Sequence, residues 1–486
     1  MHLRKATTME RSNDDVTYDP AHSQCGNHVP AYSRRGFLAK SGLGFGGLAL
    51  GMILDQLGLA GPAQAAGLAA TRNPLAPRLP PLPFKAKHVI HIFAGGGPSH
   101  VDTWDPKPTL EKFRDQTLPG QSGVAFPSPF TFSAKGKSGL LVSSAFPHLG
   151  DVADELCVIR SMFTDVPAHG PATKMIHTGN IVLTRPSVGS WLMYGLGTEN
   201  VDLPGFVALG GDVEWRQSGF LPSLYQGSRA EFGENVPPEK ALLNLKNEFT
   251  GLGAQKMQLD LARRLDAQYE EHAPKDEQLD ARIESFELAF RMQTAATDAF
   301  DIRKEPLAVR QMYGTGPLAA KLLCARRLVE RGVRFVQVDA GGWDHHSGLA
   351  GSLTKAAGAI DQPAAALIAD LKQRGLLDST LVIWGGEFGR TSTTSGRVDT
   401  NSGRDHHADC FSVWMAGGGV RGGTAYGSTD ELGQQIAENG VHVHDLHATI
   451  LRLMGFDHKK LTYRYDGRDF RLTDNYGKII DGIIAA

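Results

Sequence analysis

Cysteine is scarce in this 486-residue sequence, which contains only four of them. A disulfide scaffold needs an even, closely spaced set of cysteines, and a zinc–thiolate site needs a close pair such as CxxC. Neither pattern is present, so both classes are excluded. Cys157, Cys324 and Cys410 lie within or beside apolar runs, and we expect them to be buried free thiols.

An excess of charge of either sign is also missing. The chain has 50 Lys and Arg against 52 Asp and Glu, a formal net charge of -2. Binding to nucleic acid or to an anionic membrane usually shows as a basic excess, so we expect no nucleic acid partner. The 41% hydrophobic and 21% charged content is that of a globular protein. The length suits one large α/β domain with insertions.

No hydrophobic run is long enough to span a bilayer. The most apolar stretch, near the amino terminus, is interrupted by Asp55 and by several glycines before it reaches the roughly 20 residues that a membrane helix needs. The sequence therefore predicts no transmembrane anchor in the mature chain.

The same stretch has the features of an export signal. Arg34 and Arg35 are followed by a modestly apolar, Gly-rich segment and by Ala63-Gln64-Ala65, an A-x-A cleavage pattern. The paired arginines make it similar to a twin-arginine signal. We expect residues 1–65 to be a pre-region and signal peptide, the twin-arginine export machinery to be a partner, and the mature protein to be periplasmic or extracellular.

A Pro-rich linker at residues 66–84 precedes the main domain, residues 85–486. Within that domain, apolar β-branched runs alternate with helical patterns, which predicts an α/β fold with a mostly parallel sheet and helices on both faces. Residues 238–312 are charged, amphipathic and free of strand patterns, so we expect a helical insertion there. The predicted strands are 88–93, 156–162, 334–340, 380–386 and 411–419.

Side chains of the kind that bind metals flank four of these strands. In open parallel sheets, ligands bind beyond the carboxyl ends of the strands, so we expect these side chains to converge. Mixed Asp, Glu and His sets suit zinc or manganese better than calcium, and the sequence predicts one or two divalent ions. The candidate ligands are His100, Asp102, Asp344, His346, Glu387, Asp405 and His406.

Arg390 follows the strand 380–386. Its guanidinium could hold the non-reacting oxygens of a bound phosphate or sulfate through two parallel hydrogen bonds. A second interpretation of these motifs stays open, because Asp after a strand also serves as a turn former or helix cap.

Several motifs resemble the family called domain of unknown function 1501, over about residues 85–486. They are "GGGPSHVDTWDPKP", "RPSVGSWLMYGLG", "GGWDHHSG", "LVIWGGEFGRT", "GRDHHADCFSVWMAGGGVRGG" and "VHDLHATILRLMGFDH". The resemblance implies the α/β fold of the alkaline phosphatase and sulfatase superfamily, with a two-metal site. It implies no particular activity.

A comparison with the sulfatase motif Cys-x-Pro-Ser-Arg places His169 at the nucleophile position and Thr173 at the arginine position. Because the cysteine that becomes formylglycine is missing, ordinary sulfatase chemistry is not expected. His169 could be a metal ligand, a histidine nucleophile or neither, and ligation is favoured because imidazole suits the mixed site.

The sequence thus predicts an exported, metal-dependent hydrolase-like protein. Its substrate would be a phosphate, sulfate or related ester on a small molecule or a polysaccharide. The alternative is a non-catalytic envelope or polysaccharide-binding protein that retains the fold.

Overall fold

The computed structural model describes residues 74–232, 240–242, 250–270 and 277–485. The predicted export signal, residues 1–65, lies outside them. Among the described residues, no helix combines the length and the apolar character that crossing a membrane requires. Cys157, Cys324 and Cys410 are buried free thiols, as expected, and burial raises the pKa of Cys157 to about 11.

The centre of the fold is a nine-stranded sheet, which contains all five strands predicted from the sequence. The four additional strands are short and lie toward its edges. In chain order the strands are β1 (His88–Phe93), β2 (Leu156–Phe163), β3 (Phe206–Leu209), β4 (Ser228–Ala230), β5 (Phe335–Asp339), β6 (Thr380–Gly385), β7 (Phe411–Ala416), β8 (Thr424–Tyr426) and β9 (Val441–His442).

The spatial order is β8-β2-β7-β6-β1-β5-β3-β4, with β9 also paired to β2. Every pairing in this sheet is parallel except those of β7, which runs antiparallel to both β2 and β6. The amino end of β7 therefore lies at the same edge as the carboxyl ends of its neighbours. Residues that precede β7 and residues that follow β1, β2, β5 and β6 consequently share one edge of the sheet.

Helices cover both faces of the sheet, as predicted. Those among the described residues are α1 (His100–Thr103), α2 (Pro147–Asp151), α3 (His169–Thr178), α4 (Val188–Leu196), α5 (Leu252–Glu270), α6 (Glu277–Phe300), α7 (Leu307–Tyr313), α8 (Pro317–Glu330), α9 (Leu349–Gln373) and α10 (Val443–Leu453). Helices α5 and α6 and most of α7 lie in the described part of residues 238–312.

Two hydrophobic cores follow from this layering. Ile90 and Ile92 of β1 pack in one core with α8 and α9. Val89 and Phe93 of the same strand pack in the other core with α3, α4 and α10. Both sets of alternating side chains are buried, which explains why the strand reads as a continuous apolar run rather than as an alternating one.

In the described part of the chain, five two-stranded ribbons lie outside the sheet, and one of them bears on the site. Gly389–Arg390 pairs antiparallel with His406–His407, and Arg390 lies opposite His406 in the register. The other ribbons pair Val124–Ala125 with Thr393–Thr394, Phe132–Lys135 with Leu140–Ser143, Ser428–Thr429 with Ile436–Glu438, and Tyr463–Tyr465 with Arg468–Phe470.

Candidate metal centre

Close packing of the loops after β1, β5 and β6 builds the floor of the candidate site. Gly96 has a φ of +112°, and a Cβ there would lie 2.5 Å from the backbone nitrogen of Asp344. A Cβ on Gly97 would lie 2.6 Å from the ring of Phe388. Only glycine permits both the left-handed backbone and this approach, so the "AGGGPS" motif brings the three loops together.

Three side chains converge at this edge with the spacing of a metal site. Ligand atoms of His169, Asp344 and His406 all lie within 4.8 Å of one another. The Asp344 carboxylate lies between the rings: its Oδ2 is 3.3 Å from Nε2 of His169, and its Oδ1 is 3.2 Å from Nε2 of His406. His346 joins them, because its Nε2 is 3.0 Å from Asp344 Oδ1 and 3.0 Å from His406 Nε2.

The Nδ1 atoms of the three histidines all face oxygen acceptors. In the tautomer that donates from Nδ1 to these oxygens, each Nε2 keeps its lone pair for a metal, the arrangement found around metal-binding histidines. Each Nε2 also faces the Asp344 carboxylate, at 3.0 to 3.3 Å. The Nδ1 pairs are His169 with Glu387 Oε1 at 2.6 Å, His346 with Asp405 Oδ1 at 3.0 Å, and His406 with the Pro167 carbonyl at 2.9 Å.

These residues fit a divalent transition metal. Three imidazole nitrogens and one carboxylate form a donor set typical of zinc. The Nε2 atoms of His346 and His406 lie 3.0 Å apart, close enough for both to bind one ion. The residues that would hold the ion are His169, Asp344, His346 and His406.

Glu387 holds the ring of His169 in place and is not itself directed at the metal position. Its side chain is 2% exposed, and both carboxylate oxygens accept from the Gly96 N–H at 3.0 and 3.2 Å. One of them also accepts from His169. Glu387 therefore fixes the orientation of a ligand, whereas the sequence had suggested it as a ligand itself. Asp405 stands in the same relation to His346.

Arg390 is fully buried, and other groups already occupy its donors. Its Nε donates to the Gly97 carbonyl at 3.0 Å and its Nη1 to the Arg404 carbonyl at 3.0 Å. Its Nη2 donates to the Gly96 carbonyl and to Asp344 Oδ1. The guanidinium thus ties three loops together and holds Asp344, which differs from the predicted clamp on a substrate.

Asp102 and His100 are not brought into the cluster. Both lie fully buried in α1, and among the described residues neither forms a hydrogen bond or ion pair with His169, Asp344 or His406. Asp102 pairs with Arg404 through both carboxylate oxygens, at 2.7 and 3.1 Å. His100 Nε2 bonds the Gly433 carbonyl at 3.0 Å. Their contacts are those of buried structural groups.

The charges of the site favour an ionised aspartate. Burial opposes ionisation of Asp344, but the hydrogen bond and charge of Arg390, followed by His406 and His169, hold its pKa well below the usual range. The hydrogen bond that His169 donates to Glu387 raises the pKa of His169, with burial opposing. Burial lowers the pKa of His406, which keeps that ring neutral and able to bind a metal.

Sequence reasoning missed two contributors. The Phe388 ring packs against His169, at 4.9 Å between ring centres, and against His406, at 4.6 Å. It therefore holds two of the imidazoles in place, and its position directly after Glu387 was the available signal. The Pro167 carbonyl lies 2.9 Å from Nδ1 of His406 and orients that ring, and nothing in the sequence pattern identifies that role.

The family comparison agrees with the motifs. A model described as a protein of unknown function, DUF1501, matches residues 86–484. No curated protein matches the chain.

Three solved structures illustrate what the fold is similar to. Ps i-CgsB, solved in complex with k-i-k-neocarrahexaose, is 12% identical over 76% of this chain and 72% of that chain, with a TM-score of 0.34. The PsFucS1 sulfatase from Pseudoalteromonas sp. is 14% identical over 76% and 68%, with a TM-score of 0.32. Alkaline phosphatase from the Antarctic bacterium TAB5 is 10% identical over 76% and 98%, with a TM-score of 0.31. At these TM-scores, any function has to be argued from the residues of this chain.

Proposed function

The chain belongs to the DUF1501 family, and we propose that this member is a metal-dependent hydrolase of phosphate, sulfate or related esters. The observation that carries the proposal is the convergence of three histidine Nε2 atoms on the Asp344 carboxylate, each histidine having its Nδ1 within hydrogen-bond distance of an oxygen acceptor. Zinc is favoured over manganese, because imidazole supplies three of the four donors.

When bound there, a divalent ion would supply Lewis-acid activation of an ester oxygen and of water. The chain's own residues hold and orient the site. Glu387 and Asp405 fix the rings of His169 and His346. Arg390 keeps Asp344 ionised and in place. The first turn of α3 begins at His169, and its free N–H groups favour an anionic oxygen beside that residue.

The open position of the site supports an ester carried on a large molecule. The side chains of Asp344 and His346 are 48% and 46% exposed, so the metal position faces solvent rather than a closed cavity. A phosphate or sulfate group on a polysaccharide could reach it without a conformational opening. Export by the twin-arginine route, proposed from Arg34 and Arg35, would place the protein where such polymers occur.

The test combines metal content with activity. Protein purified after native export should contain a divalent metal by elemental analysis and should hydrolyse members of a panel of aryl phosphates and sulfates. His406→Ala should lose both properties. The matched control is His148→Ala, because His148 is an exposed histidine on α2, away from the cluster.

Three results would separate the alternatives. Full metal occupancy in His406→Ala would overturn the proposed site. A metal-loaded wild type that is inert on the whole panel would favour the non-catalytic, polysaccharide-binding alternative. A covalent phosphohistidine at His169 would show that this side chain is the nucleophile rather than a ligand.

A further inference from the structure

A second candidate binding site lies far along the sheet from the metal centre. A cavity of about 450 Å³ opens at the amino-terminal ends of the edge strands β3 and β4 and beneath α6 of the helical insertion. The metal centre is at the opposite, carboxyl ends of the strands. The volume falls within the range of about 300–1,000 Å³ that is usual for small-molecule sites.

The inner wall of this cavity is apolar and adaptable. Met193, Phe206, Leu224, Leu288 and Met292 line it. The unbranched, flexible side chains of the two methionines adjust to ligands of varied shape. Such a wall suits an aliphatic chain, because a chain of that kind gains affinity from apolar contact without requiring fixed hydrogen bonds.

Two arginines give the same cavity a positive end. Arg216 and Arg229 both line it. The Arg216 Nε is buried without a hydrogen-bond partner, and its Nη1 donates only to the Gly227 carbonyl, at 3.2 Å. Among the described residues no carboxylate forms an ion pair with Arg216. Burial, and then the charge of Arg229, lowers the pKa of Arg216.

The net charge of the ionised groups at the cavity favours an anion with a single negative charge. Arg229 is paired with Glu231 at 2.8 Å, so the two arginines and this glutamate together leave one positive charge, which Arg216 carries. The Arg216 guanidinium is partly buried and its Nε has no partner, so an anion that accepts from this nitrogen is stabilised there. The planar Nε–Nη edge matches the two oxygens of a carboxylate.

We propose that this cavity binds a monoanionic amphiphile, a medium-chain fatty acid carboxylate, with its head on Arg216 and its chain against the apolar wall. The proposal goes beyond the hydrolase function and does not depend on it. A chain with a carboxylate satisfies both ends of the cavity, whereas a neutral chain leaves Arg216 unpaired and a short acid leaves the apolar wall without contact.

The experiment is calorimetric titration of the purified mature protein with decanoate. We expect saturable binding at one molecule per chain. Decan-1-ol, which lacks the charge-assisted hydrogen bonds to Arg216, and acetate, which lacks the apolar chain, should each bind at least about tenfold more weakly than decanoate.

Two variants locate the site. Arg216→Gln should weaken decanoate binding at least about tenfold by the same reasoning. Ala289→Trp should block it, because Ala289 lines the cavity from an exposed position on α6 and can accept a large ring without disturbing the core. Arg303→Gln is the control, since Arg303 is exposed and pairs locally with Asp301.

Thermal unfolding of each variant checks that it is folded. Absence of saturable decanoate binding to the folded wild type would overturn the proposal. Binding that is unchanged in both Arg216→Gln and Ala289→Trp would do so as well. Decanol that binds as tightly as decanoate would show an apolar cavity that does not recognise an anion, and it would also refute the carboxylate assignment. The metal content of the protein and its rate of phosphate or sulfate ester hydrolysis should be the same with and without decanoate.

Discussion

His169 and Glu387 form a dyad between a partly exposed ring and a buried carboxylate, with Nδ1 of the ring 2.6 Å from the carboxylate and Nε2 directed at Asp344. The glutamate is held in turn by the Gly96 N–H. A ring fixed in this way can present Nε2 in one direction only. The dyad therefore determines where a ligand atom lies before any metal binds.

Weakening this dyad should lower metal affinity without removing a ligand. Losing the partner that orients a metal-binding histidine typically costs 10–100-fold in affinity, and we expect Glu387→Ala to fall in that range. Glu387→Gln should lie between Ala and wild type, because the amide oxygen can still accept from His169. Competition with a chelator of known affinity measures both.

Glu111→Gln serves as the control for that series, since Glu111 is exposed and pairs locally with Arg114. Equal metal affinity in wild type and Glu387→Ala would refute the orienting role. A complete loss of metal in Glu387→Gln would instead mean that Glu387 is itself a ligand.

Asp102 should matter for stability far more than for metal binding. It is fully buried in a two-point ion pair with Arg404, so Asp102→Ala leaves a buried guanidinium without its partner. Breaking such a pair costs about 3–5 kcal/mol. Denaturant unfolding should show this loss, while Glu111→Gln, at an exposed position, should change the unfolding free energy by less than about 0.5 kcal/mol. A stable Asp102→Ala protein with reduced metal affinity would revive Asp102 as a ligand.

Acid should destabilise the fold through its buried histidines. Burial lowers the pKa of His91 to about 4 and that of His447 to about 3, below the usual value of 6.5. The unfolded chain then binds more protons, so stability is complete above about pH 6.5 and falls as the pH drops toward 4. At one pKa unit per 1.36 kcal/mol, His91 contributes a loss of roughly 3 kcal/mol by pH 4.

The measurement is the unfolding free energy between pH 7 and 4, with chelator present so that metal release does not contribute. His91→Gln, which keeps a polar partner for Gln337 but does not titrate, should lose less stability over this range. His148→Gln, at an exposed position, should follow the wild type. Identical pH profiles for His91→Gln and wild type would contradict the assignment.

Export should depend on the paired arginines. Replacing Arg34 and Arg35 together by Lys should leave the protein in the cytoplasm, because the twin-arginine route requires that pair. Cell fractionation measures the distribution. Normal export of the double variant would contradict the prediction, as would an export defect that appears only when the general secretory route is blocked.

The sequence by itself determined the core of the fold. The run His88–Phe93 and its four counterparts were recognisable because burial on both faces leaves a local trace, a continuous apolar run of strand length. Short edge strands such as Ser228–Ala230 leave no such trace, since three residues carry little pattern. The clustering of Asp and His at strand ends was equally visible, because loop residues adjoin their strands along the chain.

Only the tertiary structure decided what each of those residues does. The antiparallel direction of β7 brings Asp405 and His406 to the edge that the other loops share, and strand direction has no sequence signature. The same packing pairs Glu387 with His169, Asp102 with Arg404 and Arg390 with Asp344. These pairs join residues that are 46 to 302 positions apart. Which partner a buried charge finds depends on loop geometry, and that geometry is set by close contacts such as those at Gly96 and Gly97.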